Sequence, residues 1–376
     1  MKMKVSHRSR IKPLLIMGML TALLAPLGQA VALSYTAYEL APGMPLSSAN
    51  TLAGPMAAGY SAAANSFGGI HATLWEGEHS VDLHPDFVGG STSGGSSAVQ
   101  DSAEGLQVGW AYGPGAGNLY VPIAWNTSAA SANPLPIPFA HAGGKAMATD
   151  GKQIVGYATT LIKDGTTIGP SRALVWDVST GSAVDLGNGR NGAQALGVGR
   201  GQQVGYVTSR LQNAALWKGA ANTMVNLHPK KAVVSMAYGT DGVTQVGYTG
   251  YDIRVRVEAV KGKKNKRFNY ATIWSGSASS AVNIHPYPFT HSYATAVKGP
   301  WIVGYASDES RIYTPGFNHA VIWDANYLAT DLQAFLPASF VGSQALDVDE
   351  NGNIVGVALT ADGQRRAIVW VLDQVQ

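Results

Sequence analysis

The chain has 376 residues, no cysteine and only 13% charged residues, while glycine occupies 45 positions. The lack of cysteine excludes disulfide bonds, cysteine-ligated metal centres and thiol catalysis. A chain of this length can bury a large core without cross-links, and its glycine content is typical of many short strands and tight turns.

The N-terminal segment, residues 1–32, has the pattern of an export signal. Five Lys and Arg residues open the chain, residues 14–27 are largely apolar, and residues 30–32 supply the small side chains of a cleavage site. The apolar run is short for a membrane span, and an uncleaved membrane anchor is the alternative. We predict a signal peptide over residues 1–32, a secreted or periplasmic bacterial protein, and no transmembrane span after cleavage.

Seven apolar segments that end in tryptophan divide the remaining chain into units. Residues 172–176 and 319–323 are two examples. The seven tryptophans are Trp75, Trp125, Trp176, Trp217, Trp274, Trp323 and Trp370. Self-similarity at a period of roughly 40–50 residues, as here, is typical of repeat architectures with one supersecondary unit per period.

A second marker gives the same count of seven. A glycine, usually within a Val-Gly-aromatic step, precedes each tryptophan segment. These glycines are Gly59, Gly109, Gly156, Gly205, Gly247, Gly304 and Gly356. Glycine inside a strand lowers stability unless another group must approach closely, and we expect the tryptophan of the following strand to be that group.

Each unit divides into four short strands. In the fourth unit they are residues 194–198, 203–207, 214–217 and 224–227, separated by turn residues. Four antiparallel strands repeated radially form a β-propeller, so we predict an all-β fold with seven four-stranded blades in one domain over residues 33–376. An open solenoid is the competing architecture.

The last unit has too short a segment after Trp370 for a fourth strand of its own. Residues 35–42 resemble the fourth strands at residues 81–85 and 225–229. We predict that this N-terminal strand completes the last blade and closes the ring, which removes the exposed strand edges of an open array.

The repeat motifs resemble a known family. Residues 71–75 and 319–323, with the Val-Gly-Tyr steps and the Asp-Leu fourth strands, are similar to the bacterial extracellular HAF-repeat proteins. The resemblance covers nearly all of the chain after residue 32, although His-Ala-Phe is replaced by His-Ala-Thr or Arg-Ala-Leu. It implies an exported, β-propeller-like repeat protein and no established activity.

The fifth unit is irregular because it contains a basic insertion. The interval from Gly247 to Trp274 is longer than the corresponding interval in each of the other units. Residues 253–260 alternate apolar and charged side chains, which predicts a strand, and residues 261–266 have the composition of a turn. We therefore predict a projecting β-hairpin with four lysines at its tip. Its basic residues are Arg254, Arg256, Lys261, Lys263, Lys264, Lys266 and Arg267.

This insertion carries the predicted function. Elsewhere after residue 32 the chain has more acidic than basic residues, so the hairpin is a basic projection on a mildly acidic body that attracts anions. We predict a non-catalytic binding propeller that takes an acidic polysaccharide or another anionic envelope component through these basic residues and Tyr251. The alternative is a solvated turn whose lysines blunt a strand edge. We expect no nucleic-acid partner, no cofactor, no metal and a monomer.

A secreted polysaccharide lyase is the second hypothesis. His141 and His291 lie in loops that enter the first strand of the next blade, on the face predicted for the hairpin, and Tyr293 follows closely. In β-elimination on a uronic-acid glycan, Arg254 or Arg256 would neutralise the sugar carboxylate, while a His or Tyr removes the C5 proton and donates a proton to the leaving oxygen.

A structural surface or matrix repeat protein is the third hypothesis. It needs no binding residue beyond the repeat itself. Recurrence at equivalent positions indicates a structural role for the other motif histidines, which are His71, His84, His228, His285 and His319.

Overall fold

Seven four-stranded antiparallel sheets form the protein in a computed structural model that describes residues 33–62, 69–77, 79–89, 94–161, 168–187, 192–257, 262–308 and 318–373. Each sheet is one blade, which confirms the predicted seven-bladed propeller. The predicted signal peptide and Lys261 lie outside the described residues. Within the described part, the only helices are short 3-10 turns, and none is long and apolar enough to cross a membrane.

The chain enters with β1 (Tyr35–Glu39), which belongs to the last blade. Blade 1 consists of β2 (Ser47–Ala53), β3 (Met56–Ala62), β4 (Ile70–Glu76) and β5 (His79–Asp82). Blade 2 consists of β6 (Ser96–Ala103), β7 (Leu106–Gly113), β8 (Leu119–Trp125) and β9 (Asn133–Pro134). Blade 3 consists of β10 (His141–Thr149), β11 (Gln153–Leu161), β12 (Ile168–Asp177) and β13 (Ala183–Asp185).

The second half repeats this order. Blade 4 consists of β14 (Ala193–Gly199), β15 (Gln202–Thr208), β16 (Gln212–Trp217) and β17 (Val225–Asn226). Blade 5 consists of β18 (Val234–Thr240), β19 (Gln245–Val257), β20 (Gly262–Trp274) and β21 (Val282–Asn283). Blade 6 consists of β22 (His291–Lys298), β23 (Trp301–Ser307), β24 (Asn318–Trp323) and β25 (Ala329–Asp331). Blade 7 begins with β26 (Phe340–Val348), β27 (Ile354–Thr360) and β28 (Arg365–Leu372).

The N-terminal strand closes the ring, as predicted. β1 pairs antiparallel with β28 and gives blade 7 the order β26-β27-β28-β1. Tyr35 of this strand is buried, and its ring packs edge-on against Phe335 at a centroid distance of 5.8 Å. Glu39 forms an ion pair with Arg366 at 3.2 Å across the same two strands. The open solenoid is therefore excluded.

The repeat tryptophans fill the interfaces between neighbouring blades. Each of the seven is at most 2% exposed. Trp217 of blade 4 shares a hydrophobic cluster with Val155 and Val175 of blade 3, and Trp75 of blade 1 does so with Val355 of blade 7. One large side chain is needed at each interface, which explains why tryptophan recurs once per blade.

The strand-two glycines have a different neighbour from the one predicted. A Cβ placed on any of the seven would lie 1.9–2.0 Å from a backbone carbonyl oxygen of the first strand, such as that of Gln194 at Gly205 or that of Tyr293 at Gly304. Beside each glycine the first strand has a β-bulge. The prediction that tryptophan requires these glycines was wrong, because the bulged backbone occupies that space.

The motif histidines make hydrogen bonds that tie strands and blades together. His71 Nδ1 lies 2.7 Å from Asp82 Oδ2 in the fourth strand, and His319 pairs with Asp331 at the same distance. The three remaining motif histidines each place Nδ1 2.7–2.8 Å from a serine hydroxyl of the next blade's first strand. These pairs are His84 with Ser97, His228 with Ser235 and His285 with Ser292.

Candidate functional site

The insertion of blade 5 forms the extended hairpin that its length predicts. β19 and β20 have 13 residues each and pair without a break from Gln245↔Trp274 to Val257↔Gly262. The second strands of the other blades have seven to nine residues. At ~3.3 Å per residue, the hairpin extends about 13 to 20 Å farther than they do.

The returning strand of the hairpin begins earlier in the chain than predicted. β20 begins at Gly262, so Lys263, Lys264 and Lys266 belong to this strand. The prediction of a turn over residues 261–266 was wrong, because backbone pairing continues out to Val257↔Gly262. The basic residues are therefore distributed along the two strands instead of being concentrated in a turn.

The pairing register sorts the hairpin residues near its base onto two faces, because directly paired residues share a face and neighbours along a strand alternate. One face is polar: Asp252, Arg254, Asn265 and Arg267. The other is mainly apolar: Tyr251, Ile253, Lys266 and Phe268. The predicted binding residues are thus divided, with Tyr251 and Lys266 on the opposite face from Arg254 and Arg267.

An ion pair fixes the base of the polar face. Arg267 donates from Nε to Asp252 Oδ1 at 2.8 Å and from Nη2 to Asp252 Oδ2 at 3.1 Å. These bonds lower the pKa of Asp252 and raise the pKa of Arg267. Arg254 is exposed, and no described residue forms an ion pair with it. Arg254 therefore has a guanidinium available to an anion, while Arg267 is held by its aspartate.

One ring contact joins the apolar face to the neighbouring blade 6. The ring of Phe268 stacks on that of His291 at 5.8 Å, and Lys266 Nζ lies 5.5 Å from the Phe268 centroid. Tyr251 lies 6.0 Å from Tyr270 by ring centroids. The Phe268–His291 contact anchors the base of the hairpin on blade 6, whereas the other two contacts lie within the hairpin. The polar face is therefore the one suited to a partner.

Two of the proposed lyase residues are buried. His291 and Tyr293 begin β22 and are 1% and 5% exposed. His291 Nδ1 accepts a bond from the Asn269 backbone N–H at 3.2 Å, and Tyr293 Oη lies 2.6 Å from Asn269 Nδ2. Burial, together with the charge of Lys266, lowers the pKa of His291. A buried base of this kind has no access to a sugar proton.

The other lyase candidate lies in a different blade. His141 begins β10 of blade 3, whereas His291 begins β22 of blade 6. His141 Nδ1 accepts a bond from the Gly143 N–H at 3.1 Å, and burial lowers its pKa. The described hydrogen bonds and ion pairs do not join His141 to His291, Tyr293 or the hairpin arginines.

A cavity of about 590 Å³ lies at the base of the polar face. The hairpin contributes its Asp252–Arg267 pair, and blade 4 contributes the loop at 209–211 with Asn213; His228 and Val233 complete the lining. Arg210 and Arg267 thus line the same cavity. The sequence does not mark Arg210 as part of a site, because Arg210 is a single residue in a short loop of a regular blade. The only available signal was that blade 4 precedes the basic insertion in ring order.

A second cavity, of about 1070 Å³, lies among the turns that join the first and second strands, at the other end of the blades. Asp101 and Asp347 line it, and the buried Thr51 hydroxyl lies 3.0 Å from Asp101 Oδ1 and 3.1 Å from Asp347 Oδ2. Burial and the neighbouring Asp347 raise the pKa of Asp101 to about 7, and burial raises that of Asp347. Lys298 lies nearby and is paired with Glu350 at 3.2 Å.

Thr51, Asp101 and Asp347 occupy the same position in the first strands of their blades. Each follows the bulge of a first strand, in the adjacent blades 1, 2 and 7. The other blades have alanine or glycine there: Ala148, Gly197, Gly239 and Ala296. In the described part of the chain, no three His, Asp or Glu side chains are grouped so that they could hold a metal ion.

Comparison with known proteins supports the fold alone. No protein-family profile and no curated protein matches the chain. The uncomplexed acylaminoacyl peptidase of Pyrococcus horikoshii is similar at 12% identity and a TM-score of 0.52, over 87% of this chain and 51% of that one. A puromycin-hydrolyzing peptidase of Mycobacterium tuberculosis has 13% identity and a TM-score of 0.38, over 84% and 58%. The chain spans about half the length of these proteins, and what it shares with the first is a β-propeller fold.

Proposed function

We propose that the protein is an exported, non-catalytic binding propeller that holds an acidic polysaccharide of the cell envelope on the polar face of the blade 5 hairpin. The observation that carries the proposal is the concentration of positive charge on the extended hairpin of β19 and β20. In the described part of the chain, no other blade has such an extension. The export pattern of residues 1–32 and the resemblance to HAF-repeat proteins support the location.

The pairing of the hairpin strands favours a bound anion. Arg256 and Lys263 are paired positions in the backbone register. Residues 253–257 and 262–267 contain no acid that would neutralise them. An anionic polymer along the hairpin would therefore meet basic residues from both strands.

A lyase is less well supported by the geometry. β-Elimination needs a base within about 3 Å of the proton that it removes. His291 and Tyr293 are buried and hydrogen-bonded through Asn269, and His141 belongs to another blade. The exposed arginine of the hairpin base, Arg254, therefore has no exposed catalytic partner among these candidates.

Removing three positive charges from the polar face of the hairpin tests the proposal. In residues 33–376, Arg254, Arg256 and Lys263, which share one face by the strand register, are changed to Gln, and binding to polygalacturonate is measured by biolayer interferometry at several salt concentrations. Three fewer ionic contacts should weaken binding and flatten its salt dependence. A matched control removes three exposed charges from the opposite ends of the blades: Lys152→Gln, Arg200→Gln and Lys218→Gln.

The control separates a local site from a general charge effect, because both variants have the same net charge. The proposal expects the hairpin variant to lose at least tenfold in affinity and the control to bind as the unchanged protein does. An unaltered salt slope in the hairpin variant, or equal losses in both variants, would contradict it. Dextran serves as the neutral polymer to which no form should bind.

A further inference from the structure

We infer that the cavity at the base of the hairpin is a subsite for one carboxylated sugar unit of the polysaccharide, with Arg210 as the group that binds the carboxylate. This inference rests on the proposed function and names the part of the site that reads the chemistry of the polymer. It assigns a recognition role to a blade 4 loop in addition to the hairpin.

The charges that line the cavity favour a single anion. Two guanidiniums and one carboxylate line it, and the carboxylate of Asp252 already takes two bonds from Arg267. Arg210 is exposed, and no described residue forms an ion pair with it. A planar guanidinium binds a carboxylate through two parallel bonds, so Arg210 has the geometry needed for a uronic-acid group.

The remaining polar groups suit a neutral part of the ligand. His228 has both ring nitrogens engaged, with Nδ1 at 2.8 Å from Ser235 Oγ and Nε2 at 3.0 Å from the Ala232 carbonyl oxygen, and burial lowers its pKa. It therefore adds no charge near neutral pH. Asn213 donates from Nδ2 to Ser209 Oγ at 3.2 Å, which leaves the amide oxygen and the serine proton for sugar hydroxyls.

The size and position of the cavity fit a unit of a longer chain. Its volume of about 590 Å³ lies within the range of roughly 300–1,000 Å³ that is common for small-ligand sites. Asp252 and Arg267 belong both to the cavity and to the polar face, and Arg254↔Asn265 is the second register pair beyond them. A sugar in the cavity can thus continue into neighbouring units along the hairpin.

A short ligand tests the subsite separately from the polymer. Trigalacturonate and its methyl ester are titrated into residues 33–376 by calorimetry, for the unchanged protein, Arg210→Gln and Arg200→Gln. Loss of the charge-assisted pair of bonds should cost at least about tenfold in affinity, so the free acid should bind more tightly than the ester by that factor. Arg210→Gln should remove this preference, and Arg200→Gln, an exposed arginine at the other end of its blade, should keep it.

The outcomes distinguish the subsite from the proposed function. If the unchanged protein binds acid and ester equally, or if Arg210→Gln keeps the preference, the subsite is refuted, while polymer binding by the hairpin is unaffected. If the hairpin variant binds polygalacturonate normally, the proposed function fails. Circular dichroism and the melting temperature of Arg210→Gln verify that the exposed substitution leaves the fold intact.

Discussion

The carboxyl groups of Asp101 and Asp347 both lie beside the Thr51 hydroxyl. Their effect on the free energy of unfolding can be measured through Asp101. The pKa of Asp101 is raised from an ordinary value of 3.8 to about 7 by burial and by Asp347. The folded protein therefore retains a proton that the unfolded chain releases. The stabilising contribution is complete below about pH 4 and is lost as the pH rises through about 7.

The size of the effect follows from the shift. One pKa unit corresponds to about 1.4 kcal/mol, so a rise of roughly three units corresponds to about 4 kcal/mol of unfolding free energy lost between pH 4 and pH 8. Asp101→Asn removes the proton uptake. It also sacrifices one hydrogen bond, because Asp101 accepts from the Ser102 N–H with one oxygen and from the Thr149 N–H with the other. That loss is about 1–3 kcal/mol and does not depend on pH.

The assay is urea denaturation followed by tryptophan fluorescence from pH 4 to pH 8.5. We expect Asp101→Asn to be less stable than the unchanged protein at pH 4 and more stable at pH 8, with the difference rising by about 4 kcal/mol between them. Glu104→Gln, an exposed carboxylate at the same cavity, should show no such rise. A difference between Asp101→Asn and the unchanged protein that stays constant over this range would refute the raised pKa of Asp101.

Two further predictions concern the ring itself. Gly205→Ala should lower the unfolding free energy by several kcal/mol, because its Cβ would lie 1.9 Å from the Gln194 carbonyl oxygen. Denaturant titration measures this, and a loss of less than about 1 kcal/mol would mean that the bulge can shift. Tyr35→Ala should lower it by about 3–5 kcal/mol, since a buried aromatic ring that packs on Phe335 is lost. An unchanged midpoint for Tyr35→Ala would show that β1 does not hold the ring closed.

The fold was predictable because two physical requirements recur once per blade. Each interface needs one large buried side chain, and each bulged first strand needs one residue without a Cβ beside it. Both leave a mark in the sequence that survives changes elsewhere in the repeat. The neighbour of the glycines was not predictable, because a β-bulge is a property of strand pairing and has no residue signature here.

The site was only partly predictable. The insertion and its charges are visible in the sequence, but Lys261 to Lys266 has a turn-like composition while the backbone register continues the strand as far as Gly262. Arg210 comes to the hairpin only through the order of blades around the ring. The proximity of Asp101 and Asp347, which are distant in the chain, follows from ring closure and was not visible as a motif.

The pairing of β1 with β28 also determines where the two ends of the propeller emerge. Ser34 and Thr36 donate hydroxyl bonds to the two oxygens of Asp373 at 2.6 and 2.8 Å, so the chain enters and leaves at one outer corner of blade 7. A force that pulled the two ends apart would therefore act first on this strand pair and open it from the end where Tyr35 is opposite Leu372. Of the strands of the propeller, β1 is synthesised first, but its pairing partner β28 is synthesised last. Blade 7 is therefore completed only when translation has reached β28.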